Sequence, residues 1–253
     1  MFYFLLAPVL TYHWILIIAA IIPAVFLMLK VYRSDRLEKE SASVLWRMIQ
    51  GGILSALLAM VFEWIGQAVL NAAVPKDSDA YNVILYFIIV AFSEEGAKYL
   101  FLKRRSWYTS EFNCQYDGVV YAVFVSLGFA LWENISYVMH YGFSTALVRA
   151  VTAIPGHACF GVFMGAFYGL ARGCAYLNKN VRSKLFRIFA VVIPASIHGA
   201  YDYIATTQTG KGEIVFCVFI AVLFVVSYLL VSRLSKNDHY FRIDRRAFSF
   251  VNK

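Results

Sequence analysis

Apolar residues run along this chain in seven long blocks, at 2–29, 48–74, 81–102, 118–139, 150–171, 188–206 and 214–232. A helix needs about 20 mostly apolar residues to cross the hydrocarbon core of a bilayer, and each block is close to that length or exceeds it. The pattern therefore predicts an all-α, polytopic membrane protein with about seven transmembrane helices. No block of polar sequence is long enough for a separate soluble domain, so residues 1–253 read as one membrane domain. The fifth block holds Gly161, Gly165 and Gly169 at steps of four, which puts a smooth stripe on one helix face for close packing. Pro155 and Pro194, shortly before His157 and His198, are expected to loosen a backbone turn in the fifth and sixth blocks.

Composition agrees with the pattern. Of 253 residues 61% are hydrophobic and 15% charged, and the mean hydropathy is +0.65, too apolar for an ordinary soluble domain. The net charge of +8 does not indicate nucleic acid, because the cations alternate from one connection to the next. Segments 30–47, 103–116, 172–187 and 233–253 carry 19 of the 23 lysines and arginines, whereas the opposite connections carry only Lys76, Arg149 and Lys211. The positive-inside rule then places the N-terminus outside and the C-terminus in the cytoplasm, with 233–253 a basic cytoplasmic tail suited to an anionic leaflet. The first block has its first positive charge, Lys30, behind it and is longer than a signal-peptide core, so it reads as an anchor rather than a cleaved leader. Cys114, Cys159, Cys174 and Cys217 are scattered without a CxxC, which supports neither a disulfide framework nor a cysteine metal site.

Ionisable residues inside the blocks carry the functional signal. The third holds Glu94, Glu95 and Lys98; the fourth Glu133 beside Asn134; the fifth His157; the sixth His198 and Asp202. A charge at membrane depth costs about 2.5 to 3.5 kcal/mol on insertion scales, so such groups face partners or water-filled cavities. Glu94 with Lys98 and His198 with Asp202 are i, i+4 pairs, and Glu95 with Lys98 is i, i+3, so each set shares a helix face. A glutamate can act as a general base toward water, a histidine or asparagine can stabilise an oxyanion, and Lys98 can hold a carboxylate ionised. Singly, each residue also fits a hydrogen-bonded helix contact, and Glu63, alone in the second block, reads as structural or supporting. Glu133, His157 and His198 are also residue types able to bind zinc. No HExxH or GxSxG is present, Tyr116-Asp117 lacks the GxGD partner of an aspartyl protease, and the last block lacks the lysine of a retinal protein. At 1.5 Å per residue, Glu94 falls about 20 Å from the outer end of its block, while Glu133, His157 and His198 fall about 9 to 12 Å from theirs.

Glu94-Glu95-x-x-Lys98, Phe129-x-x-x-Glu133, the isolated His157 and His198-x-x-x-Asp202, in that order over residues 81–206, resemble the PrsW-type membrane proteases that cleave anti-sigma factors, a glutamic-protease family related to the CAAX prenyl proteases and bacteriocin-processing proteins. The CAAX relatives show Glu-Glu-x-x-x-Arg and a histidine where this chain has Lys98 one residue earlier and Glu133. The resemblance implies a membrane-embedded endopeptidase of the bacterial plasma membrane that takes a membrane-anchored, anti-sigma-factor-like substrate, with no metal and no cofactor. It further implies Glu94 as water-activating base, Glu95 and Lys98 as its supports, and His198 with Asp202 as oxyanion or orienting pair. A proton-coupled transporter using the same Glu/His groups as a relay is the alternative from another class, although no internal repeat of the transporter kind is visible. A CAAX-type protease acting on a cytosolic substrate terminus is another.

Overall fold

The computed structural model describes residues 2–207 and 210–241, with side chains from residue 13 onward except that of Asp79. Most of the basic tail, 242–253, and residues 208–209 of the last connection lie outside the described residues. The chain forms α1 (Phe2–Ser34), α2 (Ala42–Ala73), α3 (Asp79–Val83), a π-helical segment (Ile84–Ala91), α4 (Phe92–Ser106), α5 (Asp117–Tyr141), α6 (Phe143–Val151), α7 (Ala153–Tyr176), α8 (Asn180–Ala205) and α9 (Gly210–Lys236). Among the described residues six helical stretches are long and apolar enough to cross a membrane: those of α1, α2, α5, α6 with α7, α8 and α9. The third predicted block is the run α3–π–α4, divided in geometry and carrying Glu94, Glu95 and Lys98.

α5 is the axis of the bundle. Every residue from Asp117 to Ala130 is buried, and α1, α2 and α7 pack around it while α8 packs on α7. The predicted glycine stripe is what allows α7 so close: a Cβ on Gly165 would lie 2.4 Å from Val119 Cα and 2.5 Å from the Gly118 carbonyl oxygen. Loss of the side chain converts helix separation into backbone contact, the chief source of helix affinity where lipid supplies no hydrophobic drive. Gly199 does the same for α8, since a Cβ there would meet Phe87 of the π segment at 2.6 Å. That approach brings the neighbouring His198 up to the third run.

The helix ends follow local chemistry. Ser41, extended at φ −64° and ψ 144°, accepts from Val44 N and starts α2. α5 stops at Gly142, whose φ of 83° suits glycine. The fifth predicted block is not one helix: it breaks at Thr152, and Pro155 lies in the first turn of α7, where its missing N–H costs nothing. Pro155 therefore marks a helix start, and the part before the break is a separate short helix, α6. Pro194, by contrast, sits inside an unbroken α8.

Candidate active site

All seven residues singled out in the sequence meet in one network near one end of the bundle. Lys98 Nζ, fully buried, donates to Glu94 Oε2 at 3.1 Å and Glu95 Oε1 at 2.7 Å, and contacts His157 Nδ1 at 3.1 Å. An ammonium has three N–H donors and no acceptor, so the three partners use its capacity fully. The His157 Nδ1 must therefore accept, which puts the ring proton on Nε2, where it donates to Glu133 Oε2 at 2.8 Å. Glu133 Oε2 also receives Arg149 Nη2 at 2.8 Å. His198 Nδ1 lies 3.0 Å from Glu95 Oε1 and 3.8 Å from Glu94 Oε2, and its Nε2 lies 3.4 Å from Asp202 Oδ2.

Aromatic rings hold these groups in place. Lys98 Nζ stands 3.9 Å from the centroid of the Phe129 ring, a cation–π contact that gives the phenylalanine of the Phe129-x-x-x-Glu133 motif a physical task. Phe160 stacks on His198 with centroids 4.6 Å apart and 20° between planes.

The network borders a cavity of about 680 Å³ lined by Glu63, Glu94, Glu133, His157, His198 and Asp202, among others. Glu95 and Lys98 do not line it, and both side chains are fully buried behind Glu94. Its lining comes from α2, the π segment, Glu94 of α4, the second half of α5, the end of α6, the first turns of α7, the last turns of α8 and Phe216 of α9. The depth offset expected from straight helices does not separate the groups, which are in direct contact; the third run is interrupted by the π segment just before Glu94, and π segments are frequent at functional sites.

Sequence reasoning missed Arg149. It was assigned to an outer connection, yet α6 folds it back so that Nε donates to Asn134 Oδ1 at 2.9 Å, Nη2 pairs with Glu133, and the guanidinium lies 4.1 Å from the Tyr137 ring centre. A lone arginine in a sparsely charged connection, 16 residues beyond an intramembrane glutamate, was the available signal. Glu63 was read as isolated but faces the same cavity.

A membrane bundle with a buried acid–base network beside a cavity suits an intramembrane protease, and comparison with known proteins gives that class a family. Residues 40–231 match the family described as PrsW family intramembrane metalloprotease. The chain is 34% identical over 197 residues to Protease PrsW of Geobacillus kaustophilus, covering 78% of this chain and 82% of that protein. It is 30% identical over 191 residues to Protease PrsW of Bacillus subtilis, covering 76% and 83%, and 28% identical to that of Shouchella clausii, covering 89% and 98%. No solved structure matches significantly. The chain belongs to the PrsW family and is a multi-pass bacterial membrane protease.

Proposed function

We propose that this protease is an endopeptidase that cuts a membrane-anchored protein of the anti-sigma-factor type on the extracytoplasmic side, with water activated by Glu94 and without a metal. The observation that carries this reading is that Glu94 alone of the Glu94–Glu95–Lys98 set faces the cavity. A water there gives its proton to Glu94 as its oxygen attacks the scissile carbonyl carbon. The resulting oxyanion takes a hydrogen bond from His198 Nε2, whose 3.4 Å approach to Asp202 is long for a hydrogen bond. The proton on Glu94 then passes to the amide nitrogen as the C–N bond breaks. Glu95 and Lys98 position Glu94, and Glu133 with Arg149 positions His157.

The family's description names a metalloprotease, and the site does hold metal-binding residue types. One ligand atom each from Glu94, Glu95 and His198 lies within 4.8 Å of the others, and two carboxylates with an imidazole are ordinary zinc ligands. The Lys98 ammonium, however, already sits 3.1 and 2.7 Å from the same two carboxylates. A divalent ion beside it would bring like charges into contact in a buried site, so these residues do not fit a metal while Lys98 stays in place. The internal ammonium supplies the positive charge instead.

The orientation rests on the cation asymmetry, because Arg149, Thr152 and Thr206, which line the cavity, lie at the helix ends whose connections are poor in lysine and arginine. Single cysteines in a cysteine-free background at Asp77, exposed in the α2–α3 connection, and at Tyr108 and Val181, 89% and 82% exposed, test it: impermeant maleimide should label only the first in intact cells. Labelling of only the other two would invert the protein and favour a cytosolic substrate. The chemistry is tested with purified protein and a single-span substrate in detergent. Glu94→Gln should lower turnover about 10²- to 10⁴-fold with folding intact, and a zinc chelator should leave the wild type active. Stoichiometric zinc whose removal abolishes cleavage would overturn the metal-free reading, and near-normal turnover of Glu94→Gln would move the base elsewhere.

A further inference from the structure

At the opposite end of the bundle the fold buries a second set of acids, Asp35, Glu40 and Asp117, from the α1–α2 connection and the start of α5. They are 5%, 4% and 1% exposed, and one carboxylate oxygen of each lies within 4.8 Å of the others. Each carboxylate is anchored through one oxygen. Asp35 Oδ1 accepts from Leu37 N at 3.3 Å, Glu40 Oε2 from the Tyr121 hydroxyl, and Asp117 Oδ2 from Asn113 N at 2.9 Å and Cys114 N at 2.7 Å. The other oxygen of each, Asp35 Oδ2, Glu40 Oε1 and Asp117 Oδ1, is buried with no hydrogen-bond partner. Asp238, after α9, repeats the pattern at the rim: Oδ1 accepts from Tyr116 N at 3.0 Å and Oδ2 is unpartnered.

Among the described residues no lysine, arginine or histidine forms an ion pair with any of these four acids. The adjacent Lys39 commits its ammonium to the Tyr32 and Asp35 carbonyl oxygens, at 2.7 and 2.5 Å. Burying carboxylates together without a counter-charge is strongly unfavourable, and it is relieved either by a proton shared between Glu40 and Asp117, whose side chains lie within hydrogen-bond reach, or by a bound cation. A polar cavity of about 200 Å³ lined by Glu38, Lys39, Glu40, Ser110, Glu111 and Asn113 gives a path from solvent to Glu40.

We propose that Asp35, Glu40 and Asp117 form a binding site for a hard divalent cation, of the Mg²⁺ or Ca²⁺ kind, that ties the α1–α2 connection to the start of α5. The all-oxygen donor set selects such ions over zinc, and water in the small cavity completes the coordination. The site is separate from the proteolytic centre and does not depend on the mechanism assigned to it.

The test uses the full chain in detergent, stripped of metal with chelator and titrated with Mn²⁺, the free ion being followed by electron paramagnetic resonance. One Mn²⁺ per chain should bind, be displaced by Mg²⁺ or Ca²⁺, and raise the unfolding temperature. Asp35→Asn with Glu40→Gln should abolish that binding, while Glu94→Gln with Glu95→Gln should keep it. Tyr121→Phe, which removes only the hydroxyl that orients Glu40, should weaken it about 10- to 100-fold and gives an answer if the double variant does not fold. Absence of Mn²⁺ binding to the wild type would overturn the proposal. So would binding that survives Asp35→Asn with Glu40→Gln, or Tyr121→Phe at full affinity.

Discussion

The two buried acid clusters of this protein solve the same electrostatic problem in opposite ways. In the proposed proteolytic centre, carboxylates alternate with nitrogen donors: Glu94 and Glu95 share Lys98, Glu133 is shared by Arg149 and His157, and His198 stands between Glu95 and Asp202. At the far end Asp35, Glu40 and Asp117 have backbone and hydroxyl donors but, among the described residues, no side-chain cation in an ion pair. The first cluster carries its own positive charge in the chain, and the second leaves that charge to be supplied from solution. A built-in cation fixes geometry permanently, as a reacting centre requires, whereas a borrowed one makes the packing of a connection respond to the ionic medium.

This contrast can be broken most forcefully at Lys98. Lys98→Met should destabilise the folded protein by about 3–5 kcal/mol, because it takes the ammonium from both Glu94 and Glu95 and leaves the buried Glu95 with His198 alone; thermal unfolding in detergent measures it, and a loss below about 1 kcal/mol would mean that the ammonium does not hold the centre together. Arg149→Met removes one partner from Glu133 and one from Asn134. The expected cost is about 1.5–3 kcal/mol, the range for hydrogen bonds to charged groups, with faster hydrogen exchange confined to Phe143–Val151 as the signature that α6 undocks. Smallest, and opposite in sign, is the response at the second cluster. In chelator-stripped protein Asp35→Asn should raise stability by at least about 1 kcal/mol through relief of like-charge repulsion, and in millimolar Mg²⁺ the same substitution should lower it. An effect of one sign in both media would erase the distinction between the clusters.

Much of this arrangement could be read before any fold was known. The seven apolar blocks and the i, i+4 spacing of Glu94 with Lys98 and His198 with Asp202 are local properties of helices, and the structure keeps both spacings as contacts. The glycine stripe was visible for the same reason. What stayed hidden was long-range or broken. Arg149 reaches Glu133 because the chain turns at Gly142 into the short helix α6, and the connection between the fourth and fifth blocks does not show that turn. Asp35 and Glu40 were invisible among the cations of 30–47, since their meeting with Asp117 joins residues about 80 positions apart. Nor can hydropathy tell the π segment of Ile84–Ala91 from an α-helix.

That π segment sets how the third run is aimed. Successive residues of an α-helix are offset by about 100° around its axis, so adding or removing one residue upstream swings everything downstream by that angle. Glu94 and Glu95 are adjacent, and one faces the cavity while the other stands behind it. The wide turns of Ile84–Ala91 therefore act as a phase setting: a single-residue deletion there would rotate a different side chain into the cavity without touching either glutamate codon. Length variation in this short apolar stretch, rather than substitution at the acids themselves, is a one-step route by which such a protein could exchange its working carboxylate for its neighbour or lose the reaction altogether.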